Sequence, residues 1–227
     1  MMWDRPVGRT DWFNSSIASG ATLPYSRFKN LSLAKQEGIL RAAADEFAAR
    51  GFESASFNRI IEHAGISKGA MYYYFADKAD VYRTVLDVWF PELLEAMQPR
   101  SNPQTSGEYW EEWRSIFQRT FRYFQQKPLA AAILWQSIRS RAAGKAHPVL
   151  VLFADQLRDW MDNLLKKGCQ VGAVRTDLPD GLLLEATFSM LEGFDRWLAE
   201  RWQDAFERSI DDIAETVTDL LRRIAES

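Results

Sequence analysis

Cysteine and histidine are the scarcest chemistry in this 227-residue chain. The single cysteine, Cys169, excludes an intrachain disulfide and gives no sign of an oxidising compartment. Lys166 and Lys167 stand nearby, but a redox-sensing thiol needs more than two lysines, so Cys169 reads as an ordinary helix-end residue. The two histidines, His63 and His147, are far apart and cannot seed a metal cluster. There is no glycine-rich phosphate loop, no nucleophile elbow and no Glu-x-x-His pair. No catalytic residue, metal ligand or cofactor is therefore expected. Long apolar runs are also missing, and a membrane-spanning helix needs about 20 such residues. The opening stretch "MMWDRPVGRTDWFNSS" lacks the apolar centre of a secretory signal, so a cytoplasmic protein without membrane association is the simplest reading. No segment alternates like a half-exposed strand, and there is no repeat or low-complexity tract.

What is present is a globular composition, with 47% hydrophobic and 26% charged residues. The length suits one large domain or two small ones. A net charge of −3 argues against a nucleic-acid partner, but its distribution is uneven. Residues 1–78 carry 10 Lys+Arg against 8 Asp+Glu, a net of +2, and the remainder nets −5. A less acidic head on an acidic body can offer a local basic face.

The periodicity predicts an all-α protein. Residues 1–30 hold Pro6, Gly8, Gly20 and Pro24 and no sustained period, which reads as a flexible N-terminal arm ending at Arg27 and Lys29. A first helix is predicted from about Ser32 to Arg50, with the stripe Ile39, Leu40, Ala43 and Phe47 and a glycine stop at Gly51. Ser56 caps a second helix with Phe57, Ile60, Ile61 and Ala64 on one face. Gly65 breaks it, Ser67 caps a third helix ending near Phe75, and Asp77 caps a fourth. Pro91 predicts a kink or a helix end just before it. Further helices are predicted over about Glu108–Gln126, Pro128–Ala143, from Pro148 to about 170, Pro179–Trp202 and Ala205–Ala225. The last has Ile210, Ile213, Val217, Leu220 and Ile224 on one side. The loop "QPRSNPQTSG", Gln98–Gly107, is the best candidate for a boundary within the second unit. Asp211 and Asp212 read as solvated carboxylates on the last helix.

The third helix carries four consecutive aromatic residues in "ISKGAMYYYF". Successive residues rotate by about 100°, so the four rings cannot all face one core. Met71, Tyr74 and Phe75 share the inner face, which leaves Lys68, Gly69, Tyr72 and Tyr73 outside. Rings left in water forgo burial energy of about a kcal/mol or more. The preceding "AGIS" makes a short glycine-containing corner of helix–turn–helix type. In such a corner the second helix enters the DNA major groove with its N-terminal residues forward. Gly69 allows close backbone approach, the tyrosine hydroxyls can reach sugar-phosphate, and Lys78 carries a charge suited to phosphate. A plain helical corner of a bundle is the competing reading of the spacing alone.

Residues 36–86, "QEGILRAAADEFAARGFESASFNRIIEHAGISKGAMYYYFADKADVYRTVL", resemble the DNA-binding region of the TetR family of bacterial transcriptional regulators. The resemblance covers the "AA..EFA..GF" helix, the "S...I...AGISKG" corner, the "YYYF" end and the "DK" start of the fourth helix. It implies a helix-turn-helix head (31–78) after the arm (1–30), and a helical effector-binding and dimerising body (79–227). It implies double-stranded operator DNA, a second copy of the chain and a small-molecule effector as partners, and repression that the effector relieves. By position it implies DNA contact for Ser56, Arg59, Ser67, Lys68, Gly69, Ala70, Tyr72, Tyr73 and Lys78, with His63 structural. The arm is long for the family, and Arg27 and Lys29 either reach a minor groove or solvate the terminus.

Beyond residue 90 the resemblance is weaker. "GAVRTDLPDGLLLEA" looks like the loop between the two dimer-forming helices of the family, here about 148–170 and 179–202. Phe153, Leu157, Leu184, Phe188, Leu191 and Phe194 are the expected interface residues, and Gly193 would permit close helix approach. On the middle helices Trp110, Trp113, Phe117, Phe121, Trp135, Gln136 and Trp160 are the expected lining of a pocket for a lipophilic or aromatic effector, with plain core as the bland reading of each ring. A helical adaptor or an enzyme without DNA binding is the alternative, and salt-dependent DNA binding separates the two.

Overall fold

The computed structural model describes residues 27–142, 148–201 and 209–226. These residues are helical throughout their regular structure, with no strand among them. The chain forms two compact units, Met1–Glu92 and Leu93–Ser227. None of the described helices is long and apolar enough to cross a membrane.

The first unit contains α1 (Leu33–Ser54), α2 (Phe57–His63), α3 (Lys68–Tyr74) and most of α4 (Lys78–Met97). The expected stripe of α1 is buried at Ile39, Leu40, Ala43 and Phe47. Gly51, predicted as a stop, is a break inside the element, with φ 70° and ψ 167°, and one further turn follows it. Only glycine takes that backbone without strain. The caps follow the sequence. Ser56 Oγ accepts from the Arg59 N–H at 3.4 Å, Ser67 Oγ from Ala70 at 3.1 Å, and Asp77 Oδ1 from Asp80 at 2.8 Å. Ile60, Met71, Phe75, Val81 and Val85 are fully buried and make the centre of this unit.

α4 does not end before Pro91; it runs on to Met97. Phe90, Leu93 and Leu94 are all buried around that position, and their burial holds the helix across the hydrogen bond that proline cannot donate. The division at 92/93 and the expected boundary at 78/79 both fall within this one helix.

The second unit contains the end of α4 with α5 (Ser106–Gln126), α6 (Pro128–Ala142), α7 (Pro148–Gln170), α8 (Leu182–Glu200) and α9 (Ile210–Ala225). α9 lies along α5, and α8 packs on α6, α7 and α9. α8 starts at Leu182, not at Pro179, because Pro179–Gly181 is spent on a turn in which Gly181 has φ 77° and Leu182 N–H donates to the Pro179 carbonyl at 3.1 Å. The expected beginning of α9 at 205 lies outside the described residues. The loop at 98–105 is pinned by the buried carboxylate of Glu112, which accepts from the N–H of Arg100 at 2.9 Å and of Ser101 at 3.0 Å. Arg119 adds bonds to the carbonyls of Ala96 at 2.9 Å and Gln98 at 2.7 Å.

Candidate nucleic-acid interface

α3 sorts its residues as the rotation argument requires. Met71 and Phe75 are fully buried, while Lys68 and Gly69 are exposed. Tyr72 and Tyr73 are 51% and 55% exposed. Tyr72 stands edge-on to Phe57 with centroids 5.3 Å apart, and Lys68 Nζ lies 5.9 Å from the Tyr72 ring. Tyr73 is edge-on to Tyr74 at 5.4 Å. Each phenol is thus steadied from its flank and left open outward. Gly69 carries a second signal. A Cβ built there meets nothing within 4 Å, so nothing inside the unit requires a glycine. Glycine inside a helix costs about 0.5–1 kcal/mol relative to alanine, and a fold with no use for it gains nothing in return.

The flanking residues are more occupied than the sequence implied. Ser56 caps α2 with its hydroxyl, and its backbone N–H donates to Glu46 Oε1 at 2.8 Å. The same carboxylate takes Arg59 Nε at 2.9 Å and Nη2 at 2.6 Å, and Arg50 lies 3.4 Å from its other oxygen. Glu46 is only 4% exposed, and the hydrogen bonds from Arg59 hold its carboxyl below the usual carboxylate range. Lys78 Nζ donates to the carbonyls of Glu53 at 3.1 Å and Ala55 at 3.0 Å and sits 4.7 Å from the Phe52 ring. Those carbonyls close the end of α1, where a cation complements the partial negative charge. Ser56, Arg59 and Lys78, expected as DNA contacts, are each engaged in tying α1, α2 and α4 together. Ser67, Lys68, Gly69, Tyr72 and Tyr73 form the outward face, and Ala70 is half-buried behind them. His63, read as structural, is exposed in the last turn of α2.

Glu46 was missed by sequence reasoning. Its only signal is a carboxylate among the apolar positions of α1, one residue before Phe47.

In the second unit the expected pocket rings fall into a connected series. Trp160 is edge-on to Trp113 at 5.7 Å, Trp113 meets Phe117 at 5.5 Å, Phe117 stacks with Phe121 at 6.2 Å, and Phe121 meets Phe194 at 6.1 Å. α5, α7 and α8 all contribute. Trp110 joins through Tyr109 at 5.0 Å, whereas Trp135 contacts Phe124 at 5.9 Å. Gln136 is half-buried. The indole N–H groups of Trp110 and Trp160 are buried without a hydrogen-bond acceptor among the described residues. Asp195 on α8 is only half-covered, yet burial followed by the nearby charge of Glu192 pushes its carboxyl up to about 7.

The expected interface residues divide. Phe194 belongs to the ring series and Phe188 lies beneath Arg158, whose guanidinium carbon is 4.9 Å from its centroid. Both are therefore used within the subunit. Leu157, Leu184 and Leu191 keep part of their surface open, and the side chain of Phe153 lies outside the described residues. Leu182 and Trp197 are the more exposed large apolar residues of α8. A Cβ at Gly193 would meet only Arg196, at 4.0 Å. Burial pushes the Cys169 thiol up, which favours the inert protonated form.

Comparison with known proteins bears on the outward face of α3. Residues 39–85 match the family model described as bacterial regulatory proteins, tetR family. Over 81 residues the chain is 41% identical to the HTH-type transcriptional regulator RutR of Escherichia coli K12, a match covering 34% of this chain and 38% of RutR. A longer match, 26% identical over 172 residues, covers 72% of this chain and 78% of the HTH-type transcriptional repressor KstR2 of Mycobacterium tuberculosis H37Rv. The fold is similar to that of a TetR family transcriptional regulator from Chloroflexus aurantiacus, with a TM-score of 0.66 at 22% identity over 89% of this chain and 98% of that one.

Proposed function

We infer, for a chain that belongs to the TetR family of bacterial transcriptional regulators, that it represses transcription in response to a ligand. As a dimer it binds a palindromic operator in duplex DNA, and a small lipophilic or aromatic effector releases it. One observation carries the reading: α3 presents two half-exposed tyrosines, a lysine and a glycine that its own fold does not need. A helix that reads a major groove needs donors at its flanks and a place for backbone to come close. Two heads on one palindrome must be spaced by about 34–36 Å or a multiple of it, which is the reason for a dimer. Open apolar surface on α8 at Leu182, Leu184, Leu191 and Trp197, with Gly193 among them, supports that helix as the meeting point. The ring series through Trp160, Trp113, Phe117 and Phe121 supports an effector with an apolar body. The unpartnered indole N–H of Trp160 favours one hydrogen-bond acceptor upon it.

Selection of bound sequences from random duplex DNA tests the reading and yields half-site spacing together. The expected result is a palindrome bound with strong salt dependence; a protein that enriches no sequence is an adaptor or an enzyme. Lys68→Ala and Tyr72→Ala should each weaken operator binding about tenfold, within the range of about 1–3 kcal/mol for a lost groove contact. Far-ultraviolet circular dichroism and oligomeric state should stay unchanged. Wild-type affinity in both variants would remove α3 from the interface.

A further inference from the structure

The segment just before α1 is fixed to the head more firmly than its composition suggests. Phe28 is 1% exposed, its ring 5.1 Å from the buried ring of Phe75. Asn30 N–H donates to the Arg27 carbonyl at 3.2 Å and Leu31 N–H to the Phe28 carbonyl at 3.0 Å, so 27–31 is a closed turn. Gln36 of α1 donates its side-chain amide to the carbonyls of Leu31 at 2.8 Å and Lys29 at 3.1 Å. A buried ring and two sets of hydrogen bonds hold the segment in one place.

That place sets Arg27 against α3. Its guanidinium carbon lies 4.6 Å from the centroid of Tyr73. Arg27 itself is exposed, and no carboxylate among the described residues pairs with it. The contact does little to shelter Tyr73, which remains more than half exposed. A cation on a ring at an exposed site is a weak contact, enough to orient a side chain and too little to explain a buried anchor behind it. A guanidinium set over a ring keeps N–H donors that the ring does not satisfy, and such donors suit phosphate oxygens.

We propose that Arg27 is a further DNA-contacting residue, a phosphate clamp held on Tyr73 at the edge of the α3 face and anchored there by Phe28. The proposal rests on the DNA-binding reading above. It assigns Arg27 to the backbone and not to a minor groove, because a side chain set over Tyr73 is held at the face that presents Lys68 and Tyr72.

The test uses the full chain and the duplex recovered by selection, with anisotropy titrations over a series of potassium chloride concentrations. Each phosphate neutralised contributes about −0.9 to the slope of log affinity against log salt. Arg27→Ala should make that slope shallower by about one and weaken operator and unrelated duplex by a similar factor. Arg27→Lys, which keeps the charge and loses the guanidinium, should restore most of the slope. Phe28→Leu, which shrinks the anchor, should lower affinity less than Arg27→Ala. Affinity lost with the slope unchanged would mean that Arg27 only props Tyr73, and would overturn the proposal. So would wild-type behaviour of Arg27→Ala. A wild-type protein that binds no duplex removes the underlying reading, and this proposal with it.

Discussion

Gly69 shows how a single residue can separate the demands of folding from those of binding. Its missing side chain leaves open space on all sides within the unit. Gly69→Ala should therefore fold without strain and stabilise the head by up to about 1 kcal/mol, since alanine is the better helix former. The added methyl stands on the outward face beside Lys68, where a groove wall would come. Thermal melting should rise or hold while operator affinity falls. A variant with undiminished affinity would show that nothing approaches α3 closely at this point. Lys68, Tyr72 and Tyr73 were legible because helical rotation forbids four adjacent aromatics from sharing one core. The occupation of Arg59 and Lys78 was not legible. Each finds its partner 13 or more residues away, Glu46 in one case and the carbonyls of Glu53 and Ala55 in the other.

At the scale of helices, period and caps account for most of the arrangement, and close approach accounts for the rest. Ser56, Ser67 and Asp77 start their helices as their side chains dictate. Gly168 is different, since the helix runs through it to Gln170, where it was expected to end, and close packing is what asks for a glycine inside it. A Cβ at Gly168 would fall 2.6 Å from Tyr109 Cζ and 2.7 Å from its hydroxyl, and closer still to Val174. The Tyr109 hydroxyl is held by the Leu164 carbonyl at 3.2 Å, so the ring cannot step aside cheaply. Gly168→Ala should destabilise the body by roughly 1–3 kcal/mol, the usual cost of overpacking a tight contact. Chemical denaturation followed by tryptophan fluorescence reads this directly, and an unchanged midpoint would contradict the packing described. α9 makes a similar point about phase. Leu220 was expected inside but is 40% exposed, and Leu221 and Ala225 are buried in its stead. From Val217 a helix offers both i+3 and i+4, and packing against α5 selects the second.

For the molecule as a whole, repression relieved by an effector requires the two ligands to oppose each other. Linkage makes that opposition reciprocal: if effector weakens DNA binding by some factor, DNA weakens effector binding by the same factor. Couplings of this kind are typically about 5–150-fold. Trp113 and Trp160 give the binding of a lipophilic compound an optical signal, because they form part of the ring series. Titrating a quenching compound with and without saturating operator should shift its dissociation constant by the factor seen in the DNA titration. A compound that saturates the protein and leaves DNA affinity untouched would argue against effector control.

Helical class, the caps and the corner between α2 and α3 were determined by the sequence alone, because each depends on residues within a few positions of one another. So was the sorting of α3 into an inner face of Met71 and Phe75 and an outer face of Tyr72 and Tyr73. Tertiary structure decided what distance in the chain conceals: that Glu46 claims Arg59, that Lys78 closes α1, that Phe194 joins the rings of α5, and that Phe28 brings Arg27 onto Tyr73. Local rules fix which way a side chain points. Only the packing of separate helices decides what it meets.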